Sequence, residues 1–189
     1  MARPREFDEA EATRRAVEVF WSKGYEAASL SDLMAATGLS KSSLYQAFGD
    51  KRQLFLAAFG SYRDERFRQM NEHLNDGQPA RRSLEGFFRA VMAERPSWGC
   101  MTCNIGVELA PHDAEIRRLF ERETAVVEQA FLGTIKRGQA DGSISKRHDP
   151  LRLARFLVVC LQGLQVTARA VADQARLDDA VATLMAMLD

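Results

Sequence analysis

Two short stretches of the chain carry residues whose types and spacing favour chemistry at a defined site. The first runs from Lys41 to Lys51 and places serine, tyrosine and glutamine side chains between two lysines. Glutamine can pair with adenine edges, serine can bond a base or a phosphate, and lysine attracts phosphate. The second stretch contains Cys100 and Cys103, separated by two residues. The first therefore indicates contact with nucleic acid, and the second indicates thiol chemistry.

The residues that must position the first stretch form a helix-turn-helix pattern over 29–48. A short helix is followed by a turn at Gly38 and by a second short helix, which is the spacing of DNA-reading units. Apolar residues are spaced to pack the two helices together: Leu30, Leu33, Met34, Leu39, Leu44 and Phe48. At 100° per residue, the second helix turns Ser42 and Gln46 outwards, with Ser43 and Tyr45 beside them.

The ends of these helices add groups that can hold phosphate. Lys41 lies at a helix N-terminus, where backbone amides and a partial positive charge favour anions. Lys51 and Arg52 open the next helix, and Arg3 and Arg5 precede the first one as a possible basic arm. We expect DNA contacts from Ser29, Lys41, Ser42, Ser43, Tyr45, Gln46 and Lys51.

The charge balance argues that any such contact is local. The chain has 26 Lys and Arg against 26 Asp and Glu, so its formal net charge is zero. A global basic field for nucleic acid is therefore absent, and one such unit would bind DNA weakly. Spacing alone leaves open a helical hairpin that never meets DNA.

Composition fits a cytoplasmic globular protein. The chain has 189 residues, 46% of them hydrophobic and 28% charged, with three cysteines, 5 Pro and 12 Gly. Sparse, odd-numbered cysteines imply no disulfide framework, and a reducing cytoplasm fits them. No apolar run approaches the ~20 residues of a membrane helix, and the N-terminus lacks the apolar stretch of a signal peptide. We therefore expect no membrane partner.

The fold class is predicted to be all-α, with about nine helices and no strand. A helix-turn-helix DNA-binding domain over residues 1–52 is expected to precede a larger helical domain over 53–189. The first helix is predicted to begin with a capping box made by Asp8 and Glu11. The last two helices, from Pro150 to about Val171 and from about Asp178 to Leu188, are apolar on several sides. Such helices are buried from more than one direction, which favours a partner subunit.

The N-terminal third resembles the DNA-binding domain of TetR-family transcriptional regulators. The resemblance covers about residues 8–58 and includes Gly24-Tyr25 after the first helix, Leu44-Tyr45-x-x-Phe48, and the lysine at 51. It implies a homodimer that binds a palindromic double-stranded operator, usually as a repressor, and that dimerises through its last two helices. It also implies phosphate contacts by Tyr45 and Lys51 and base contacts by Ser42, Ser43 and Gln46. Ser43 departs from the family's usual Gly or Ala.

The cysteine pair admits several interpretations. A structural zinc site needs two ligands besides this cysteine pair, and the sequence has no second Cys-x-x-Cys, so no metal or other cofactor is expected. A thiol beside a helix N-terminus has a lowered pKa and reacts with oxidants or electrophiles. The alternative is that both cysteines are small core residues under Trp98. The segment Gly99-Cys100-Met101-Thr102-x-Asn104, followed by Glu108-Leu109-Ala110, resembles a TetR-family branch with electrophile-sensing repressors, which implies that Cys100 is the sensor. Cys103 is a second candidate only through its spacing from Cys100.

A non-covalent inducer pocket is the other way to sense a signal. Its expected lining is Phe87, Phe88, Met92, Trp98, Met101 and Phe120, although aromatic stripes at helical spacing are more often plain core. The sequence as a whole predicts a regulator released from DNA by a small-molecule or thiol-reactive inducer, and not an enzyme. Two other functions stay open: a Cys-x-x-Cys thiol oxidoreductase, for which the strand–helix context is missing, and a helical interaction scaffold.

Overall fold

The computed structural model describes residues 8–94, 96–171 and 173–189, and the secondary structure in these ranges is helical, as predicted, with no strand. Nine α-helices and one 3-10 turn, Pro96–Trp98, make up this part of the chain. The helices are α1 (Glu9–Lys23), α2 (Leu30–Thr37), α3 (Lys41–Phe48), α4 (Lys51–Leu74), α5 (Ala80–Ala93), α6 (Met101–Glu108), α7 (Ala114–Asp141), α8 (Pro150–Ala170) and α9 (Gln174–Ala186).

The chain divides into two compact units, one up to Arg66 and one from Phe67 onward. This division falls inside α4, which runs without a break for 24 residues, from Lys51 to Leu74. The expected boundary at residues 52–53 falls in the first turn of α4, before this division. A single uninterrupted helix gives no composition shift to mark the division in the sequence.

In the first unit, α1 starts as its cap residue predicts, but the expected capping box is wrong. Asp8 is the N-cap, and its side chain accepts a hydrogen bond from the amide of Ala10. The Glu11 carboxylate instead forms ion pairs with Arg14 and Arg15. Two guanidinium groups within one turn attract the carboxylate more strongly than the cap backbone N–H does.

The core of the first unit is aromatic. Phe20 and Phe55 are almost fully buried, and their rings meet edge to face with centroids 5.3 Å apart. Trp21 packs on Tyr62 in the same manner, with centroids 5.0 Å apart. Aromatic pairs in this geometry stabilise beyond their buried area, so α1 and the first part of α4 form a rigid base for the two short helices.

The second unit is a helical bundle around stacked phenylalanines. The Phe88 ring meets Phe87 edge to face at 5.6 Å and stacks with Phe131 at 5.8 Å, and Phe87 and Phe131 also meet edge to face at 5.6 Å. Helix α8 starts as predicted, with Asp149 as N-cap and Pro150 in the first turn. Helix α9 begins at Gln174 rather than near Asp178, because Asp173 caps it by accepting from the amide of Arg176.

Helix α8 is long and apolar enough, by length and composition alone, to cross a membrane, with a mean hydropathy of 1.3 over its most apolar window. Core helices of folded domains meet the same criterion. Leu153, Leu157 and Leu164 of α8 are buried in the hydrophobic core of the second unit. Helix α8 is therefore a core helix of the second unit.

Candidate nucleic-acid interface

Helix α3 is held against α2 by a glycine turn and two buried leucines. Gly38 ends α2 in the left-handed conformation, with φ of 71° and ψ of 11°, which a side chain would strain. Ser40 then begins α3, its hydroxyl accepting from the amide of Ser43. Leu33 and Leu44 are buried to 0% and 2% exposure. The turn and the inward leucines fix which side of α3 faces outwards.

The outward side of α3 carries the predicted polar residues. Lys41, Ser42 and Gln46 are exposed, and Tyr45 is 39% exposed. Ser43 is half-buried, so it lies at the edge of this surface. We call these five residues the α3 face. A short helix that presents small, hydrogen-bonding side chains suits the width of a DNA major groove.

Two serine hydroxyls of the α3 face are drawn towards the start of the helix. Ser42 Oγ lies 2.9 Å from Ser40 Oγ, and Ser43 Oγ lies 3.0 Å from the same atom. The sequence indicated outward-facing serines but not this cluster of three hydroxyls. A hydroxyl has one donor hydrogen and two lone pairs, so either serine can accept from Ser40 and still donate to a base or a phosphate.

Ser29 has a structural role that competes with its predicted DNA contact. Its hydroxyl accepts from the amide of Asp32, and the Asp32 carboxylate accepts from the backbone amide of Ser29, completing a capping box for α2. Hydrogen bonds from Lys23, 2.6 Å away, and then from Ser29 lower the pKa of the Asp32 carboxyl to about 2. The cap thus stays ionised at neutral pH and fixes the start of α2.

Both lysines of the predicted interface lie over tyrosine rings. Lys41 Nζ is 5.7 Å from the centroid of the Tyr45 ring, one helical turn away. Lys51 Nζ is 4.6 Å from the centroid of the Tyr25 ring and donates to the carbonyl oxygen of Glu26 at 3.4 Å. Sequence reasoning missed the second pair, since its members are far apart in the chain. The predicted basic arm, Arg3 and Arg5, lies outside the described residues.

The thiols occupy unequal positions at the start of α6. Cys100 is the N-cap of α6 and is half-buried, whereas Cys103 is buried to 7% exposure. The hydrogen bond with Cys100 and burial raise the pKa of the Cys103 thiol. Within the described part of the chain, no three His, Cys, Asp or Glu side chains are grouped to hold a metal ion.

The segment before Cys100 is attached to α8. The carbonyl oxygen of Trp98 accepts hydrogen bonds from Asn104 at 3.0 Å and from Arg169 at 3.1 Å. A Cβ at Gly99 would lie only 2.9 Å from the carbonyl oxygen of Gln165, so glycine is needed for this close approach. The N-terminus of α6 is thus fixed to the C-terminal half of α8.

The six residues expected to line a pocket are not gathered into one group. Phe87, Phe88 and Met92 belong to the hydrophobic core of the second unit and are at most 5% exposed. Met101 is buried on α6, and the half-buried ring of Phe120 packs on the backbone of Gly106, where a Cβ would come within 2.7 Å. Trp98 is half-buried in the 3-10 turn.

Helix α8 exposes an apolar stripe on its outer side. Phe156, Val159 and Val166 are 41%, 66% and 48% exposed. With the exposed Gly163 and Ala170, they recur at alternating intervals of three and four residues. This is the spacing of a seam between packed helices. We call these five residues the α8 stripe.

Comparison with known proteins agrees with this architecture. Residues 13–58 match the family model "Bacterial regulatory proteins, tetR family", and residues 80–184 match "Tetracyclin repressor-like, C-terminal domain". The chain is 34% identical to the HTH-type transcriptional regulator YezE of Bacillus subtilis, over the full length of both chains. It is 32% identical to the HTH-type transcriptional repressor ComR of Escherichia coli, covering 88% of this chain and 82% of ComR.

A solved structure extends the comparison to a DNA complex. A cysteine-substituted variant of the TetR family regulator CifR, complexed with 26-bp double-strand operator DNA, superposes with a TM-score of 0.87. It is 32% identical, and the match covers 100% of each chain. Two family models cover both units, and full-length relatives exceed 30% identity. The chain belongs to the TetR family of bacterial transcriptional regulators.

Proposed function

We propose that this regulator binds a palindromic operator as a homodimer, represses transcription there, and is released by a small-molecule or thiol-reactive inducer. The observation that carries the proposal is the α3 face, which is exposed while Leu44 on the opposite side is buried. The CifR complex with operator DNA supports operator binding by this chain, since the CifR fold matches over the whole chain.

The exposed residues divide by the chemistry of their side chains. Gln46 can pair with adenine edges in the major groove, and Ser42 and Ser43 can bond bases or phosphates. Tyr45 and Lys51 are suited to hold the DNA backbone, which fixes the register of α3 on the duplex. To this backbone set we assign Lys41 as well, at the N-terminus of α3, and Ser29 at the N-terminus of α2.

The α8 stripe supports the homodimer. Two copies that pack these apolar residues together would remove them from water, which favours association in proportion to the area buried. Helix α9 adds small exposed residues, Ala175, Ala182 and Ala186, that allow close approach of a second helix. Dimerisation would place two α3 helices for successive major grooves, ~34–36 Å apart.

The operator contacts can be tested with two substitutions. A Tyr45→Ala, Lys51→Ala variant should bind a duplex from the region upstream of its own gene at least about 100-fold more weakly. Each lost bond to a charged phosphate is worth about 1.5–3 kcal/mol. The slope of log affinity against log salt should shrink by about 2, because each of the two subunits loses one lysine and the tyrosine carries no charge. Fluorescence anisotropy at several salt concentrations measures both quantities.

Lys136→Ala is the matched control, since this exposed lysine of α7 lies outside the proposed interface. It should leave affinity and salt slope unchanged. Unimpaired binding by the double variant would remove the assigned roles of Tyr45 and Lys51. A wild-type protein that does not bind this duplex at low salt would favour a helical interaction scaffold instead.

The position of Cys100 supports the thiol-reactive class of inducer. Cys100 caps a helix N-terminus, is partly accessible and shares a hydrogen bond with the buried Cys103 thiol. Treatment with N-ethylmaleimide should release the wild-type protein from the operator duplex. Cys100→Ser should remain bound, measured by anisotropy with mass spectrometry to locate the adduct.

Cys160→Ser is the control variant, because Cys160 is also half-buried but lies on α8. It should be released like the wild type. Equal release of Cys100→Ser would exclude this thiol as the sensor and leave a non-covalent inducer as the remaining class of signal.

A further inference from the structure

The Lys51 ammonium is held in place before any DNA is bound. Its Nζ lies 4.6 Å from the centroid of the Tyr25 ring and donates to the carbonyl oxygen of Glu26 at 3.4 Å. A cation within about 6 Å of an aromatic face is attracted by the ring's negative surface. Lys51 is also half-buried at the first position of α4, so its side chain does not extend freely into solvent.

The Tyr25 ring is itself fixed by the core of the first unit. It meets the Phe55 ring edge to face at 4.9 Å and stacks with the Phe20 ring at 6.2 Å. Phe20 and Phe55 are 1% and 0% exposed, so the platform below the lysine is anchored on buried residues. Lys41 differs, since its ring partner, Tyr45, lies 5.7 Å away and is itself exposed.

A lysine side chain is flexible and loses rotamer freedom when it binds a phosphate. A lysine already restrained by a ring and a carbonyl has less of that freedom left to lose. An ammonium has three N–H donors, and the Glu26 carbonyl accepts from one of them. The arrangement therefore restrains the charge without consuming its capacity to bind an anion.

We infer that Tyr25 is a positioning residue for DNA binding, whose ring holds the Lys51 ammonium in the geometry that a backbone phosphate requires. Tyr25 acts through the lysine and need not touch DNA. The inference rests on the proposed function, because it needs operator binding in which Lys51 takes part.

A double-mutant cycle between positions 25 and 51 tests the inference. Tyr25→Phe keeps the aromatic face and should bind the upstream duplex as the wild type does. Tyr25→Leu removes the face and should weaken binding about three- to tenfold. In a Lys51→Met background, Tyr25→Leu should cause no further loss. Anisotropy titrations give the affinities, and thermal unfolding confirms that each variant is folded.

A shape-conserving substitution covers the case in which Tyr25→Leu does not fold. Pentafluorophenylalanine at position 25 keeps a ring of similar size but reverses the sign of its face. It should weaken binding relative to Tyr25→Phe, and only when Lys51 is present. If the Tyr25 ring only packed the core, the loss of affinity in the fluorinated variant would not depend on the presence of Lys51.

The outcomes separate this inference from the proposed function. Equal losses from Tyr25→Leu with and without Lys51, or full affinity of the fluorinated variant, overturn the inference while the operator function stands. Unchanged affinity and salt slope in Lys51→Met would remove the lysine contact and the inference together, but other contacts could still hold the operator. A wild-type protein that does not bind the duplex would overturn both.

Discussion

Val159→Glu is expected to yield a folded monomer that no longer binds operator DNA at concentrations where the wild type does. Val159 is 66% exposed, more than Phe156 or Val166 of the α8 stripe, so glutamate is tolerated in the isolated chain. In a dimer the carboxylate would be buried without a partner, which costs about 3–5 kcal/mol. The dimer dissociation constant should rise by roughly 100-fold or more, as measured by sedimentation equilibrium.

Operator affinity should fall with the dimer, because a single helix-turn-helix makes few phosphate contacts. Val107→Glu is the matched control, since Val107 on α6 is 75% exposed and lies off the α8 stripe. It should remain dimeric and bind DNA normally. A Val159→Glu protein that dimerises as tightly as the wild type would show that the subunits meet through another surface.

Phe88→Ala should be the most destabilising single change in the second unit. Its ring is fully buried and contacts both Phe87 and Phe131. Removing a buried phenylalanine costs about 3–5 kcal/mol, from lost transfer energy and from the cavity that remains. For a chain of this size, that lowers the Tm by roughly 10 °C. Calorimetry or thermal circular dichroism measures the shift.

Val107→Ala controls for a generic effect of truncation, because an exposed side chain contributes within about 0.5 kcal/mol. Its Tm should match that of the wild type. A loss below about 1 kcal/mol for Phe88→Ala would mean that the second unit repacks around the vacancy, and that the stacked rings contribute less than their burial implies.

Local signals allowed much of the first unit to be predicted from the sequence. The turn at Gly38 and the buried Leu44 each depend on residues within a few positions of one another, and the structure confirms them. The predicted start of a helix was wrong where either of two residues could cap it. Asp173 and Asp178 can both begin α9, and the structure uses the earlier one.

Contacts between distant residues were out of reach for sequence reasoning. The resemblance predicted a phosphate contact for Lys51 but gave no sign that its ammonium rests on Tyr25, 26 positions away. The link from the Trp98 carbonyl to Arg169 depends in the same way on how helices pack. Such pairs are set by tertiary geometry, for which a single sequence carries no periodicity.

The contact between Gly99 and the Gln165 carbonyl has a mechanical consequence. Even one methyl group at Gly99 would not fit against α8, so the backbone next to Cys100 cannot move towards α8 without displacing that helix. Interiors packed this tightly transmit displacement rather than absorb it. An adduct on the Cys100 sulfur would therefore push on α8, the same helix that carries the α8 stripe through which we propose that the subunits pair.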